Sequence, residues 1–251
     1  MFTKVMLAIT GQVKWPSLSP LPIEIILLPL SFPINFYSFS VYGRANLTPM
    51  MILTDKKLSI KTSRSPDLSD LRAGRDDSGS WIRSEEMRSL FSFIEKGVKN
   101  LIGLPQQLHT LAIQRAKKYM LDHIEEDGTF YSYYSSTFLM IFALISLGYK
   151  KADPVITKAI DGIKSMKCTI NVRPHMQYTT ADMWNTSLIG YALQEAGISP
   201  EDAMVEKTNQ YLLKRQHTKF GDWVIHNPTS LPGGWGFSDI NTINPDVDDT
   251  T

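Results

Sequence analysis

Apolar side chains recur at helical spacing through much of this chain. Leu90, Phe91, Phe93, Ile94, Val98 and Leu101 form one set, and Leu111, Ile113, Tyr119, Met120 and Ile124 another. Steps of three and four residues put each set on one face of a helix, whereas the period-two alternation of a strand is scarce. The pattern predicts a mostly helical protein. Ahead of these sets, Thr54 to Gly79 is rich in Ser, Asp, Lys and Arg, and reads as an exposed excursion. The first residues, M-F-T-K-V-M-L-A-I, predict a helix rather than a signal peptide, because the apolar run is short and Lys14 interrupts the residues beyond it. Ile25 to Gly43 holds nineteen residues without a formal charge, but Pro29, Pro33, Asn35 and three serines argue against a clean span. Two readings of that run stay open. It dips into one membrane leaflet, with Phe32, Phe36, Tyr37, Phe39 and Tyr42 at the interface, or it is a buried helix pair in a soluble core.

The second half of the chain repeats itself. Ala143 to Lys158 aligns without gaps on Ala192 to Lys207, at an offset of 49 residues. In both copies Ala-Leu lies near a helix end, a glycine (Gly148, Gly197) stands where positive φ is needed, and a Pro/Asp turn starts the next helix. One helix pair cannot bury its own apolar face, so copies must stack or close into a ring, and an α/α toroid or solenoid is expected. A further recurrence relates Ala116–Phe130 to Thr208–Trp223, each a helix followed by a glycine turn and an aromatic. In the second copy Gln216 is placed to hydrogen-bond backbone around the following turn, with Trp223 over it. Ordinary amphipathic helices with glycine stops remain the other reading, more so for the first copy.

Composition narrows the function. With 26 basic and 25 acidic residues the formal charge is +1, so no overall field draws the chain to nucleic acid, despite local basic clusters at Lys56, Lys57, Lys61, Arg64, Arg72 and Arg75. A single cysteine, Cys168, excludes an internal disulfide and a thiolate metal cage. His109, His123, His175, His217 and His226 show no metal-ligand spacing and read mostly as surface residues. No metal and no cofactor is expected.

The chemistry concentrates at P-D-V-D-D-T-T, Pro245 to Thr251. Taken alone, Asp246, Asp248 and Asp249 either cap a helix or hold a proton. The approach, L-P-G-G-W-G-F-S-D-I-N-T-I-N, sets Gly233 and Gly234 beside Trp235 and Phe237, an aromatic wall next to tight turns.

The Tyr-Leu-Leu-x-Arg-Gln…Gly-Asp-Trp pattern of the second recurrence, followed by N-P-T-S-L-P-G-G-W-G-F and P-D-V-D-D-T, resembles the squalene-hopene cyclase family of class II terpene cyclases. The likeness covers nearly the whole chain, and Trp15 to Leu53 resembles that family's membrane-contacting region. Members that make sporulenol from tetraprenyl-β-curcumene are the nearest in character. The resemblance implies an all-α protein of two α/α barrels enclosing an apolar cavity, of the terpenoid cyclase/prenyltransferase type. It implies a peripheral, monotopic seat on the cytoplasmic side of the cell membrane, a homodimer, and a linear polyprene substrate such as squalene or tetraprenyl-β-curcumene. Residues 1–167 would belong to the membrane-associated barrel domain, with the excursion at 54–79, and 168–251 to the start of the catalytic barrel domain. In the D-x-D-D motif the middle aspartate, here Asp248, protonates the terminal alkene with Asp246 and Asp249 in support. Trp184 in A-D-M-W-N-T-S and Phe237 match cavity aromatics, while Trp235 is nominated by its neighbourhood alone. The chain departs from the pattern at Asn185, where relatives carry aspartate, and in a first repeat lacking both Gln and Trp.

Alkene protonation needs an acid that keeps its proton at neutral pH. An isolated aspartate, with a pKa of about 3.9, is ionised there. Crowded carboxylates raise one member by like-charge repulsion. If Asp246 after Pro245 is an N-cap, the positive helix end stabilises the carboxylate left behind. Aromatic faces then stabilise the carbocation without offering a nucleophile, and exclusion of water prevents early quenching. Family chains continue past this motif, so the chain is expected to be a fragment, truncated just after D-x-D-D, an incomplete barrel without turnover alone. A non-catalytic helical-repeat lipid-binding module, or a gene remnant, is the competing reading.

Overall fold

The computed structural model describes residues 2–16, 22–63, 65–68 and 106–245. The apolar set from Leu90 to Leu101, Arg64 and residues 69–79 of the polar excursion, and Asp246, Asp248 and Asp249 lie outside the described residues. Seven α-helices and one two-stranded sheet are seen among the described residues. The chain divides into two compact units, one of Met1–Asp122 with Leu139–Ile156 and the other of His123–Phe138 with Thr157–Thr251.

In the first unit, α1 spans Phe2–Ile9, α2 Val41–Lys56 and α3 Gln106–Asp122. Their buried stripes, Val5, Ala8 and Ile9, then Met51, Ile52 and Leu53, then Ala112, Ala116 and Met120, make its core. Phe36 meets Tyr119 edge to face at 4.9 Å. The same tyrosine accepts from the buried Arg44 Nε at 3.1 Å, which satisfies part of a charge that would otherwise be costly to bury.

The uncharged run from Ile25 does not form a helix pair. Its prolines break it into 3-10 turns at Ile23–Leu27 and Phe36–Ser38, the second capped by Asn35. Ile25, Ile26, Leu28 and Phe36 are buried among the residues of their own unit, whereas Leu30 and Tyr42 are exposed. No helix among the described residues is long and apolar enough to cross a membrane. Helix α2 continues through the buried Thr54 to Lys56, so the polar segment begins at Lys57. Ser59 and Ile60 hydrogen-bond back to the carbonyls of Ala8 and Ile9.

The repeat is visible as two helix–glycine–helix units. The first comprises α4 (Tyr134–Ser146) and α5 (Pro154–Ser165), the second α6 (Asp182–Glu195) and α7 (Ala203–Leu213). Gly148 and Gly197 have φ of 98° and 91°. In each copy the glycine amide bonds back three residues and the next amide back five, to Ile145 and Leu144 in one, Gln194 and Leu193 in the other. This is the Schellman ending. A Cβ at either glycine would meet nothing within 4 Å, so the requirement is positive φ rather than space. Asp202 then caps α7, accepting from the Met204 amide at 2.8 Å, whereas Asp153 accepts from the Lys150 amide at 2.7 Å and closes the turn ahead of α5.

The all-α expectation needs one correction. Lys167–Ile170 (β1) and Arg173–Met176 (β2) pair antiparallel, with Cys168 opposite His175. Asn171 and Val172 turn between them with φ of 47° and 59°, the type I′ signature. The hairpin is not legible in sequence because Val172 is a β-branched residue where such turns take glycine, and Pro174 sits within a strand.

Candidate functional site

Two of the aromatics singled out in the sequence come together in the second unit. Trp184, in the first turn of α6, stacks on Phe237 with ring centroids 5.7 Å apart and planes at 28°. Its amide points at the Phe237 carbonyl at 3.5 Å. Thr180 and Ser238, on either side of the pair, share a very short hydroxyl hydrogen bond. Both rings are partly exposed, so they present an aromatic face.

Trp235 does different work. Its indole N–H donates to the Leu212 carbonyl at 2.7 Å, closing the C-terminal end of α7. Gln216 Nε2 donates to the Gly233 carbonyl at 2.6 Å, and the His217 amide to Gly234 at 2.9 Å. Gln216 thus ties a helix end to backbone, but to a carbonyl 17 residues on rather than in the turn that follows it. The indole that joins it is Trp235, whereas Trp223 lies against Phe220, with centroids 5.8 Å apart.

A polar cluster flanks the stack. Asp239, two residues after Phe237, lies 3.7 Å from Arg215 Nε and accepts from the Tyr211 hydroxyl at 3.4 Å, while the Arg215 guanidinium sits 3.6 Å over the Tyr211 ring. Asp182, at the start of α6, interacts with Asp239. Partial burial, and then the charge of Asp239, push the Asp182 carboxyl above its ordinary range. Because Asp182 as a whole residue is exposed, the pairing with Asp239 is the part that a substitution can isolate.

The segment that runs on towards Asp246 is fastened from both sides. Asn241 Oδ1 accepts from the amides of Ile243 and Asn244, and its Nδ2 donates to the Asn244 carbonyl, which closes a tight turn. The Asn241 carbonyl accepts from His217 Nε2 at 2.7 Å. Thr242 reaches the buried Glu125. A side chain at Gly221 would collide with the Ile243 carbonyl oxygen, so only glycine permits that approach. Burial holds Glu125 up to about 7 against the opposing hydrogen bonds from Thr242, with Asp127 adding to the rise and Lys219 opposing it. Burial also pushes His217 below the usual histidine range.

Sequence reasoning missed Glu125, His217 and the Asp182–Asp239 pair. His217 is 5% exposed, not a surface residue, and His109 and His123 are partly buried against Glu24 and Asp55, and Asp222. His175 and His226 are exposed as read. The only signal for Asp239 was a charge set among aromatics, W-G-F-S-D.

Two family models cover the chain. Squalene-hopene cyclase N-terminal domain matches residues 1–171, and squalene-hopene cyclase C-terminal domain matches 180–251. Among curated proteins, the sporulenol synthase of Bacillus subtilis is 43% identical over 99% of this chain and 40% of its own length. The dammaradiene synthase of Dryopteris crassirhizoma is 29% identical over 100% of the chain and 37% of its own. The squalene–hopene cyclase of Alicyclobacillus acidocaldarius is 28% identical over 99% of the chain and 40% of its own. The chain thus spans about two fifths of the length of these relatives. With both domain models matched in order, the chain belongs to the squalene-hopene cyclase family.

Proposed function

We propose that this chain carries the acid side of a class II polyprene cyclase, in which Asp248 gives its proton to the terminal alkene of tetraprenyl-β-curcumene or squalene. The π electrons form the new C–H bond, a tertiary cation is left on the neighbouring carbon, and Asp248 is left as a carboxylate. Asp246 and Asp249 keep the proton on Asp248 before substrate arrives, since crowded carboxylates do not all ionise. Internal alkenes then attack the cation in turn to build the rings. Trp184 and Phe237 offer their faces to the early cation, worth about 2 kcal/mol when desolvated.

The observation that carries this reading is the Trp184–Phe237 stack, with Phe237 nine residues ahead of Asp246. An aromatic face a few residues ahead of an acid in sequence is what cation chemistry needs and what a helix cap does not. Trp235 belongs to the support of that wall. In the same reading, residues 1–167 contribute to a membrane-associated α/α barrel and 168–251 to a catalytic one, the enzyme rests on the cytoplasmic face of the membrane, and it pairs as a homodimer.

The experiment is a hybrid in which this chain replaces the matching region of the Bacillus subtilis sporulenol synthase. Supplied with tetraprenyl-β-curcumene or squalene, the hybrid is expected to yield a cyclic product by gas chromatography and mass spectrometry. A hybrid that folds by circular dichroism and leaves both polyprenes linear overturns the reading.

A further inference from the structure

Phe237 lies in a segment with neither helix nor strand, so no backbone ladder fixes its ring, yet it meets Trp184 as a stack. Side chains of both helices of the second repeat copy do the fixing. On the α6 side, the N-cap residue Ala181 offers no side-chain acceptor, and the Phe237 carbonyl stands before the Trp184 amide instead. Thr180 holds Ser238 through their very short hydroxyl bond, and Ser238, 2% exposed, also has its Oγ 3.3 Å from the Ile240 amide. On the α7 side the point of attachment is Asp239. Its carboxylate takes the hydroxyl of Tyr211, in the last turn of α7, and faces Arg215 just beyond that helix. Arg215 is itself held in place, with its guanidinium over the Tyr211 ring and Nη1 directed at the Tyr211 carbonyl at 3.5 Å. Asp182 of α6 reaches the same carboxylate from the other side.

Asp239 is therefore gripped by both helices, and α6 and α7 do not need it to find each other. They already pack closely, since a side chain at Gly190 would meet Thr208 Cγ2 at 2.7 Å. What the grip adds is control of the segment that carries Phe237, two residues away, with the buried Ser238 between them. Control of that kind matters for a ring that serves a cation, because the attraction acts over the ring face and within about 6 Å of its centroid. We propose that Asp239 is a positioning residue for the aromatic pair: bound by Tyr211 and Arg215 on one side and Asp182 on the other, it fixes the tilt at which Phe237 meets Trp184, and so the face the pair presents. This rests on reading the pair as the stabiliser of the early cation.

The test labels this chain with 5-fluorotryptophan, which gives one 19F signal for each of its five tryptophans, and Trp184→Phe identifies the signal of Trp184. Phe237→Leu keeps an apolar side chain and removes the ring, which gives the position of that signal without the stack. Asp239→Ala is expected to move the Trp184 signal most of the way to that position and to leave the Trp15 signal where it stands. Tyr211→Phe, which removes only the hydroxyl, should move it in the same direction by less, and stands in if D239A collapses all five signals together. In the sporulenol synthase hybrid, D239A should slow cyclisation about tenfold, the loss of most of one ring's attraction for the cation. A Trp184 signal unmoved in both variants overturns the proposal. So does a displaced signal beside an unchanged rate in the hybrid, which marks a merely structural contact. An unsubstituted hybrid that makes no product is a failure of the cyclase reading, and the 19F shift still decides whether Asp239 positions the pair.

Discussion

Glu125→Gln carries a large and directional consequence for stability. The Glu125 carboxyl is held at about 7 in the folded chain against an ordinary 4.5. Below pH 4.5 both states are protonated and the residue is neutral in the balance. Between 4.5 and 7 the unfolded chain has released a proton that the folded chain still keeps, so stability falls as pH rises and levels off above 7. A separation of about 2.5 units at about 1.36 kcal/mol per unit makes the full loss about 3 kcal/mol. Gln resembles the protonated carboxyl and does not titrate. E125Q should therefore match the parent within about 0.5 kcal/mol at pH 4.5 and exceed it by about 3 kcal/mol at pH 8. His217, buried and lowered, works in the opposite sense: its contribution is present above the ordinary histidine range and lost as pH falls. It is common to both proteins and cancels in the difference. Urea denaturation followed by tryptophan fluorescence at half-unit steps from pH 4.5 to 8 gives that difference directly. A difference that stays flat across the range would refute the reasoning, because the carboxyl would then ionise alike in both states.

Other consequences are smaller and independent of it. Gly148→Ala and Gly197→Ala should each cost about 1 kcal/mol in urea denaturation, since both sites hold φ above 90° while leaving open space for a methyl. Trp235→Phe keeps the ring but removes the N–H that serves Leu212, and should lower stability by about 1 kcal/mol. Asp239→Asn removes one of the charges that raise Asp182, so the Asp182 carboxyl should move back towards its ordinary range by 13C NMR; an unmoved value would assign the shift to burial alone.

The range of each interaction decides how far it is legible in sequence. The repeat can be read because its determinants are local: a glycine at positive φ and an aspartate that binds a nearby backbone amide lie within a few residues of one another at Gly148 and Asp153, and again at Gly197 and Asp202. The Trp184–Phe237 pairing is not local, and only the family pattern brings the two rings to notice. Glu125 escapes altogether, since E-E-D-G looks like the end of a helix while its carboxyl meets Thr242, 117 residues away. Trp235 and Trp223 differ only in which backbone group each meets, and neighbourhood alone does not decide that. The hairpin at 167–176 is hidden by Val172 and Pro174, each in a position its residue type disfavours.

Asp248 as the source of the initiating proton is the central claim. Asp248→Asn keeps the size and hydrogen-bonding capacity of the side chain and removes its acid. In the sporulenol synthase hybrid, the cyclic product formed per unit time, measured by mass spectrometry beside the unsubstituted hybrid, should fall at least about a hundredfold, as for loss of a general acid. Cyclisation within about threefold of the unsubstituted hybrid would contradict the assignment of the proton to Asp248.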